Sequence, residues 1–259
     1  MQQTSLITGA SSGIGLELAR VMARNGINLV LTARREERLN QLKKELENQY
    51  SVRVHFIPLD LAKPESPQQL YNFCQKEELN IDILINNAGI GDYGLFQKNE
   101  WEKTATMIDL NMKSLTHLTR LFLPDMIQRK NGRIMNVAST ASFQPGPLMS
   151  VYYATKHYVL AFSEALANEV AEHNVTVTAL CPGPTKSEFQ ETANMQKSKL
   201  VDRLPMPDSA EVAEYGYRAM VNGKRVAVHG VMNKIMAKAM SFLPRCWVTA
   251  TVRKIQERK

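Results

Sequence analysis

Two hydrophobic periods share this chain. Short apolar runs of strand length recur at 5–10 (SLITGA), 27–34 (INLVLTAR), 52–60 (VRVHFIPLD), 81–89 (IDILINNAG), 132–139 (GRIMNVAS), 175–183 (VTVTALCPG) and 225–230 (RVAVHG). Between them, apolar residues fall at helical spacing: Leu16, Ala19 and Ala23 over 15–26, then Leu39, Leu42 and Leu46 over 35–49. Further helices are predicted over 67–77, 100–129 and 151–171. Runs that are apolar on both faces suit parallel strands covered on both sides. Their alternation with helices predicts an α/β protein: a single-domain Rossmann fold, a doubly wound parallel sheet of about seven strands with helices on both faces. With no Pro/Gly/Ser linker, residues 1–259 read as one domain.

Length agrees, since 259 residues can bury one large core. Composition mainly excludes. Cys74, Cys181 and Cys246 are odd in number and far apart, without a CxxC or a Cys/His cluster, so neither a disulfide framework nor a zinc site is expected. Reduced thiols and a start without a basic, then apolar leader fit a cytoplasmic protein. No apolar run approaches the roughly 18 residues that span a membrane. The net charge of +7 is unevenly placed. Residues 224–259 hold nine Lys/Arg against Glu257 alone, whereas the first 223 residues hold 23 basic and 24 acidic side chains. A basic segment with one Trp and one Phe lacks the interleaved aromatics of a nucleic-acid surface, so no nucleic-acid partner is expected.

The first candidate chemistry lies where the first strand meets the first helix, in TGASSGIG (8–15). Gly9, Gly13 and Gly15 allow a tight turn and a close backbone approach. The helix start then offers free N–H groups and partial positive charge to a pyrophosphate, with Ser11, Ser12 and Ile14 as donors. That context predicts dinucleotide binding. At the end of the second strand, a carboxylate would bond the free ribose hydroxyl of NAD. This chain has Arg34 and Arg35 instead, whose forks suit the extra 2′-phosphate of NADP(H).

Further motifs follow in order: NNAG at 86–89, Asn111, Ser139, Tyr152 with Lys156, and PGPTKS at 182–187. Together they resemble the short-chain dehydrogenase/reductase family, in its NADP-dependent, bacterial-like members, over residues 4 to about 190. The resemblance chooses between the adjacent Tyr152 and Tyr153. The family's tyrosine stands four residues before its lysine and thirteen after its serine, which Tyr152 satisfies with Lys156 and Ser139. Tyr153 would need a lysine where His157 stands. The implied activity is hydride transfer between NADP(H) and a carbonyl or secondary alcohol, with Tyr152 as general acid/base, Ser139 orienting the oxygen and Asn111 serving a proton relay to Lys156. An ammonium beside the phenol is expected to favour phenolate; bringing the tyrosine from about 10 towards 7 takes roughly 4 kcal/mol. The resemblance also sets Asp60 and Leu61 near the adenine, Asn87, Ala88 and Gly89 along the adenosine ribose, Pro182 and Gly183 beside the nicotinamide, and Thr185 at its carboxamide. Ser187 stands where a threonine is common and keeps the hydroxyl.

Substrate contacts are expected in the loops at 90–97 and 140–150 and in a lid over 186–210, where Tyr93, Phe96, Phe143, Met149, Phe189, Met195 and Met206 form an apolar rim. Tyr93, Phe143, Met149 and Phe189 are the candidates for the substrate itself, a small apolar carbonyl or alcohol. The C-terminal extension, 231–259, carries Met232, Met236 and Met240 at helical spacing, with Pro244 breaking the run. It reads in three ways: a helix over the substrate mouth, a subunit contact, or a peripheral membrane helix. A homodimer or homotetramer is expected through the helices at 100–129 and 151–171. The competing functional class is a non-catalytic NADP-binding sensor, against which the complete Ser139–Tyr152–Lys156 set argues.

Overall fold

The computed structural model describes residues 2–194, 206–240 and 242–257. Seven parallel strands form one sheet: β1 (Thr4–Thr8), β2 (Asn28–Ala33), β3 (Val54–Pro58), β4 (Ile83–Asn86), β5 (Gly132–Val137), β6 (Val175–Cys181) and β7 (Val226–Val228). Their spatial order is β3-β2-β1-β4-β5-β6-β7. Ser5 pairs Leu29 of β2 on one side and Ile83 of β4 on the other, so the winding reverses between β1 and β4. At such a reversal the loops beyond the strand ends diverge and leave a crevice.

Side chains alternate across the strands and feed two cores. Ile7, Leu29, Leu31, Ile83 and Ile85 face α1 (Gly13–Arg24), α2 (Glu36–Gln49) and α8 (Ser209–Val221). Leu6, Val30 and Leu84 face α3 (Ser66–Lys76), α5 (Leu115–Gln128) and α6 (Ser150–Glu169). The expected single-domain, doubly wound sheet is what these residues build.

Two segments differ from the sequence reading. The predicted helix over 100–129 is divided: α4 (Trp101–Ile108) passes through a π-helical segment, Asp109–Ser114, into α5. The cause is Asn111, whose amide bonds both backbone groups of Ile90 rather than its own helix, at 3.0 and 2.9 Å. The C-terminal extension folds as two helices, α9 (Val231–Ala239) and α10 (Arg245–Gln256), with Pro244 at the start of the second. No residue of α9 is buried, whereas Val248 and Val252 of α10 pack on Met149 and Tyr153. No described helix is long and apolar enough to cross a membrane.

Candidate active site

A cleft of about 370 Å³ opens at the C-terminal ends of the strands, a size suited to a small-molecule site. Its floor is the glycine loop. Gly9 has φ +67°, and a Cβ there would stand 2.9 Å from the Ala88 Cα; Gly13 has φ +56°. Gly15 is off the cleft wall and does a different job, because a Cβ there would meet the Gly9 carbonyl oxygen at 2.4 Å. It lets α1 sit against the first turn. Ser12, the N-cap of α1, makes no side-chain cap, so the helix start keeps its donors for something in the cleft. Ser11, Ser12, Gly13 and Ile14 line this end.

The NNAG turn both lines the cleft and holds the sheet. Asn87 Nδ2 donates to the Thr8 carbonyl at 2.9 Å, and the Asn87 and Ala88 N–H groups both donate to Thr8 Oγ1 at 3.0 Å. Behind it, buried Asn86 donates to Thr119 and Asn136, and Asn136 to Ser163, tying β4 and β5 to α5 and α6. Asp60, Leu61, Ala88 and Gly89 line the adjoining wall; the Asp60 carboxylate accepts from the Ala62 N–H at 3.1 Å.

Arg34 and Arg35 are exposed at the rim, past the end of β2. Arg35 donates to the Ser12 hydroxyl at 2.8 Å, the Ser11 hydroxyl at 3.0 Å and Glu188 at 2.6 Å. The other Glu188 oxygen takes Arg38 at 2.6 Å. Sequence reasoning missed both Arg38 and Glu188. Arg38 was findable, one helical turn beyond Arg34; Glu188 lies 150 residues further on, with no local signal.

At the other end, Ser139, Tyr152 and Lys156 share the cleft wall, on either side of a 3₁₀ turn and the first turns of α6. Ser139 Oγ accepts from Ala141 N–H at 3.1 Å and lies 3.5 Å from the Pro182 carbonyl. Lys156 Nζ donates to the Val137 carbonyl at 2.7 Å and stands 5.9 Å from the Tyr152 ring centroid. Asn111 is buried outside the cleft wall, where its Nδ2 donates to Thr155 Oγ1 at 3.1 Å. A Cβ on Gly89 would stand 3.2 Å from Asn111 Oδ1 and 3.5 Å from Lys156 Nζ, so the three are neighbours.

The electrostatics differ from the expectation of a lowered tyrosine. Burial pushes the Tyr152 phenol up to about 12, with a hydrogen bond to Ser139 pulling the other way. Burial also pushes Lys156 down to about 8. Desolvation disfavours both charged forms. The protein's own groups therefore hold Tyr152 as the phenol, the form able to donate a proton.

Pro182, Gly183, Thr185 and Ser187 follow β6 along the same wall. Of the four substrate candidates, Met149 and Phe189 line the cleft, with the Phe189 ring 5.3 Å from that of Tyr152. Tyr93 lies behind the wall, donating its hydroxyl to the Gln256 carbonyl, and Phe143 packs with Leu160 and Val228. Phe96 points to solvent. Met195 and the middle of the expected lid, 195–205, lie outside the described residues. Tyr153 is buried, takes a hydrogen bond from Gln256 Nε2 and packs edge-on to Tyr152.

The chemistry of the wall fits a dinucleotide: a glycine cradle that a Cβ would fill, uncapped helix donors, arginines at one end and a hydroxyl–phenol–ammonium set at the other. Comparison with known proteins agrees. The family model described as short chain dehydrogenase matches residues 3–198. Nodulation protein G of Rhizobium meliloti is 34% identical over 241 residues, covering 89% of this chain and 97% of that protein. The 3-oxoacyl-(acyl-carrier-protein) reductase of Rickettsia prowazekii is 33% identical over 205 residues, 79% of this chain and 82% of its own. Among solved structures, a short-chain dehydrogenase from Sphingobium yanoikuyae in complex with NADPH is 31% identical, with a TM-score of 0.82 over 94% of this chain and 97% of that one.

Proposed function

Because this chain belongs to the short-chain dehydrogenase family, we propose that it is an NADP(H)-dependent oxidoreductase that interconverts an apolar carbonyl compound and its alcohol. The observation that carries the reading is the meeting of Ser139, Tyr152 and Lys156 on one wall of a cleft whose other end is a glycine cradle edged by arginines. The residues that would hold the dinucleotide are Gly9 to Ile14 at its pyrophosphate, Arg34 and Arg35 at its 2′-phosphate, Asp60 to Leu61 and Asn87 to Gly89 along its adenosine, and Pro182 to Ser187 at its nicotinamide. Bound there, the cofactor supplies the hydride for reduction and takes it up in oxidation.

The chain's own groups handle the oxygen and the proton. Ser139 orients the substrate oxygen and donates to it as negative charge develops there. Tyr152, held as a phenol, gives its proton to that oxygen in reduction and takes it back in oxidation. Lys156, whose Nζ stands 5.9 Å from the Tyr152 ring centroid, offsets in its protonated form the phenolate charge left behind. Asn111 holds the Ile90 loop, beside the Gly89 that neighbours Lys156. Met149 and Phe189 give the substrate pocket its apolar surface. A panel of apolar ketones and aldehydes, followed by NADPH absorbance with NADH in parallel, tests the assignment. NADPH-dependent turnover is expected; tight NADPH binding with no turnover on any compound would restore the sensor reading.

A cytoplasmic homodimer, paired through the long helices, completes this reading. A second reading, membrane contact, is favoured by the tail. Seven of the twelve exposed large hydrophobic residues found among the described residues fall between Val231 and Trp247. They are interspersed with lysine and arginine, as at an anionic lipid surface. Self-association through this face would set two strongly basic segments against each other. Co-sedimentation with anionic vesicles should fall several-fold in the exposed-site variant Phe242→Ser/Trp247→Ser and on removal of residues 231–259. Unchanged pelleting in both would end the membrane reading.

A further inference from the structure

We propose that Glu188 sets the cofactor preference of this protein by competing with the 2′-phosphate of NADP(H) for Arg35 and Arg38. The inference rests on the NADP(H) reading and extends it to a carboxylate that reaches the cofactor cleft from the opposite side. Three observations carry it. Glu188 lines the same cleft as Arg34, Arg35 and Ser12. Its two oxygens are divided between two guanidinium groups, Arg35 and Arg38, each at 2.6 Å. Arg35 also donates through Nε and Nη2 to the Ser11 and Ser12 hydroxyls of the glycine loop. Arg34, in contrast, forms no ion pair among the described residues.

A guanidinium fork recognises carboxylate and phosphate by the same paired N–H geometry. A carboxylate already seated in the fork is thus a substitute anion, and a phosphate ester arriving there must displace it or accept a like charge beside it. Both routes weaken binding of the phosphorylated cofactor and leave the unphosphorylated one little affected. The two arginines hold the Glu188 carboxyl below its ordinary range, so it carries its charge throughout the neutral range. The side chains are each about two-fifths exposed, which limits the strength of the pairs and lets the carboxylate be displaced.

Glu188 also sits at a structural joint. It is the N-cap of a short helix, α7 (Phe189–Thr192), that brings Phe189 against Tyr152. On its other side the Lys186 N–H is tied to the Pro207 carbonyl at 3.0 Å. The residue that touches the phosphate fork thereby belongs to the segment that shapes the substrate end.

The test is equilibrium binding followed by cofactor fluorescence, with NADPH and NADH titrated separately. Wild type, Glu188→Gln, Arg38→Ala and the double variant are compared. Glutamine keeps the size of the side chain while removing its charge and leaving one oxygen able to accept from an arginine. Glu188→Gln should raise the NADPH-over-NADH affinity ratio about five- to tenfold, and the gain should shrink in the Arg38→Ala background. Displacement of bound NADPH by 2′,5′-ADP should follow the same order, giving a readout free of the nicotinamide end. An unchanged or lowered ratio in Glu188→Gln would overturn the proposal. A wild-type protein that binds NADH as tightly as NADPH would instead count against the NADP(H) reading, so the two failures are distinct.

Discussion

At the scale of single residues, the site is a contest between desolvation and charge. Tyr152 and Lys156 were legible as a pair because four residues on a helix return to one face. Their proton affinities were not, since burial depends on which distant segments close over them. For Lys156 the native proton affinity is depressed, so the unfolded chain binds more protons between about 8 and its ordinary value near 10.5. Stability should therefore rise with pH across that window, by on the order of 3 kcal/mol in total. Denaturant unfolding of Lys156→Met, measured from pH 7 to 10.5, is expected to show a flatter profile than wild type; parallel profiles would remove the buried charge from the account. Gly146 shows what sequence alone hides at this scale. A Cβ there would stand 2.3 Å from the Tyr153 ring, a contact no spacing rule announces.

At the scale of elements, strands and helices were legible wherever one period ran unbroken. Where the period failed to predict structure, a side chain had found a partner far along the chain. Asn111 bonds the loop at Ile90 and opens α4–α5 into a π-helical turn, a departure common near functional sites. The tail is the second case. Its methionine spacing predicts an apolar face, yet the buried face belongs to the next helix, where Val248 and Val252 meet Met149 and Tyr153. α10 thus supports the wall that carries Tyr152 from behind. Val248→Ala/Val252→Ala should lower unfolding free energy by roughly 2–4 kcal/mol and reduce turnover together with it. Thermal melts with wild-type midpoints would show that the helix is only loosely applied.

At the scale of the whole molecule, the fold was the most legible feature and the division of the site the least. Seven apolar runs alternating with helices leave few topologies other than a doubly wound parallel sheet, and the reversal between β1 and β4 opens the cleft. The glycine loop, the NNAG turn and the Ser139–Tyr152–Lys156 set all lie on that cleft because they follow successive strands at their C-terminal ends. The Arg38–Glu188 contact spans the cleft from α2 to the segment after β6, and only the folded molecule reveals it. In the proposed function, the cleft has a phosphate end edged by arginines and a chemical end governed by a buried phenol.

The most direct test of that claim is Tyr152→Phe, assayed for NADPH-dependent reduction of whichever carbonyl compound the wild type turns over, with NADPH affinity measured on the same sample. Loss of the proton donor should lower kcat/KM about 10²–10⁴-fold while the dissociation constant for NADPH stays within about twofold. Reduction at an undiminished rate, with NADPH still bound, would contradict the assignment of Tyr152 as the group that moves the proton.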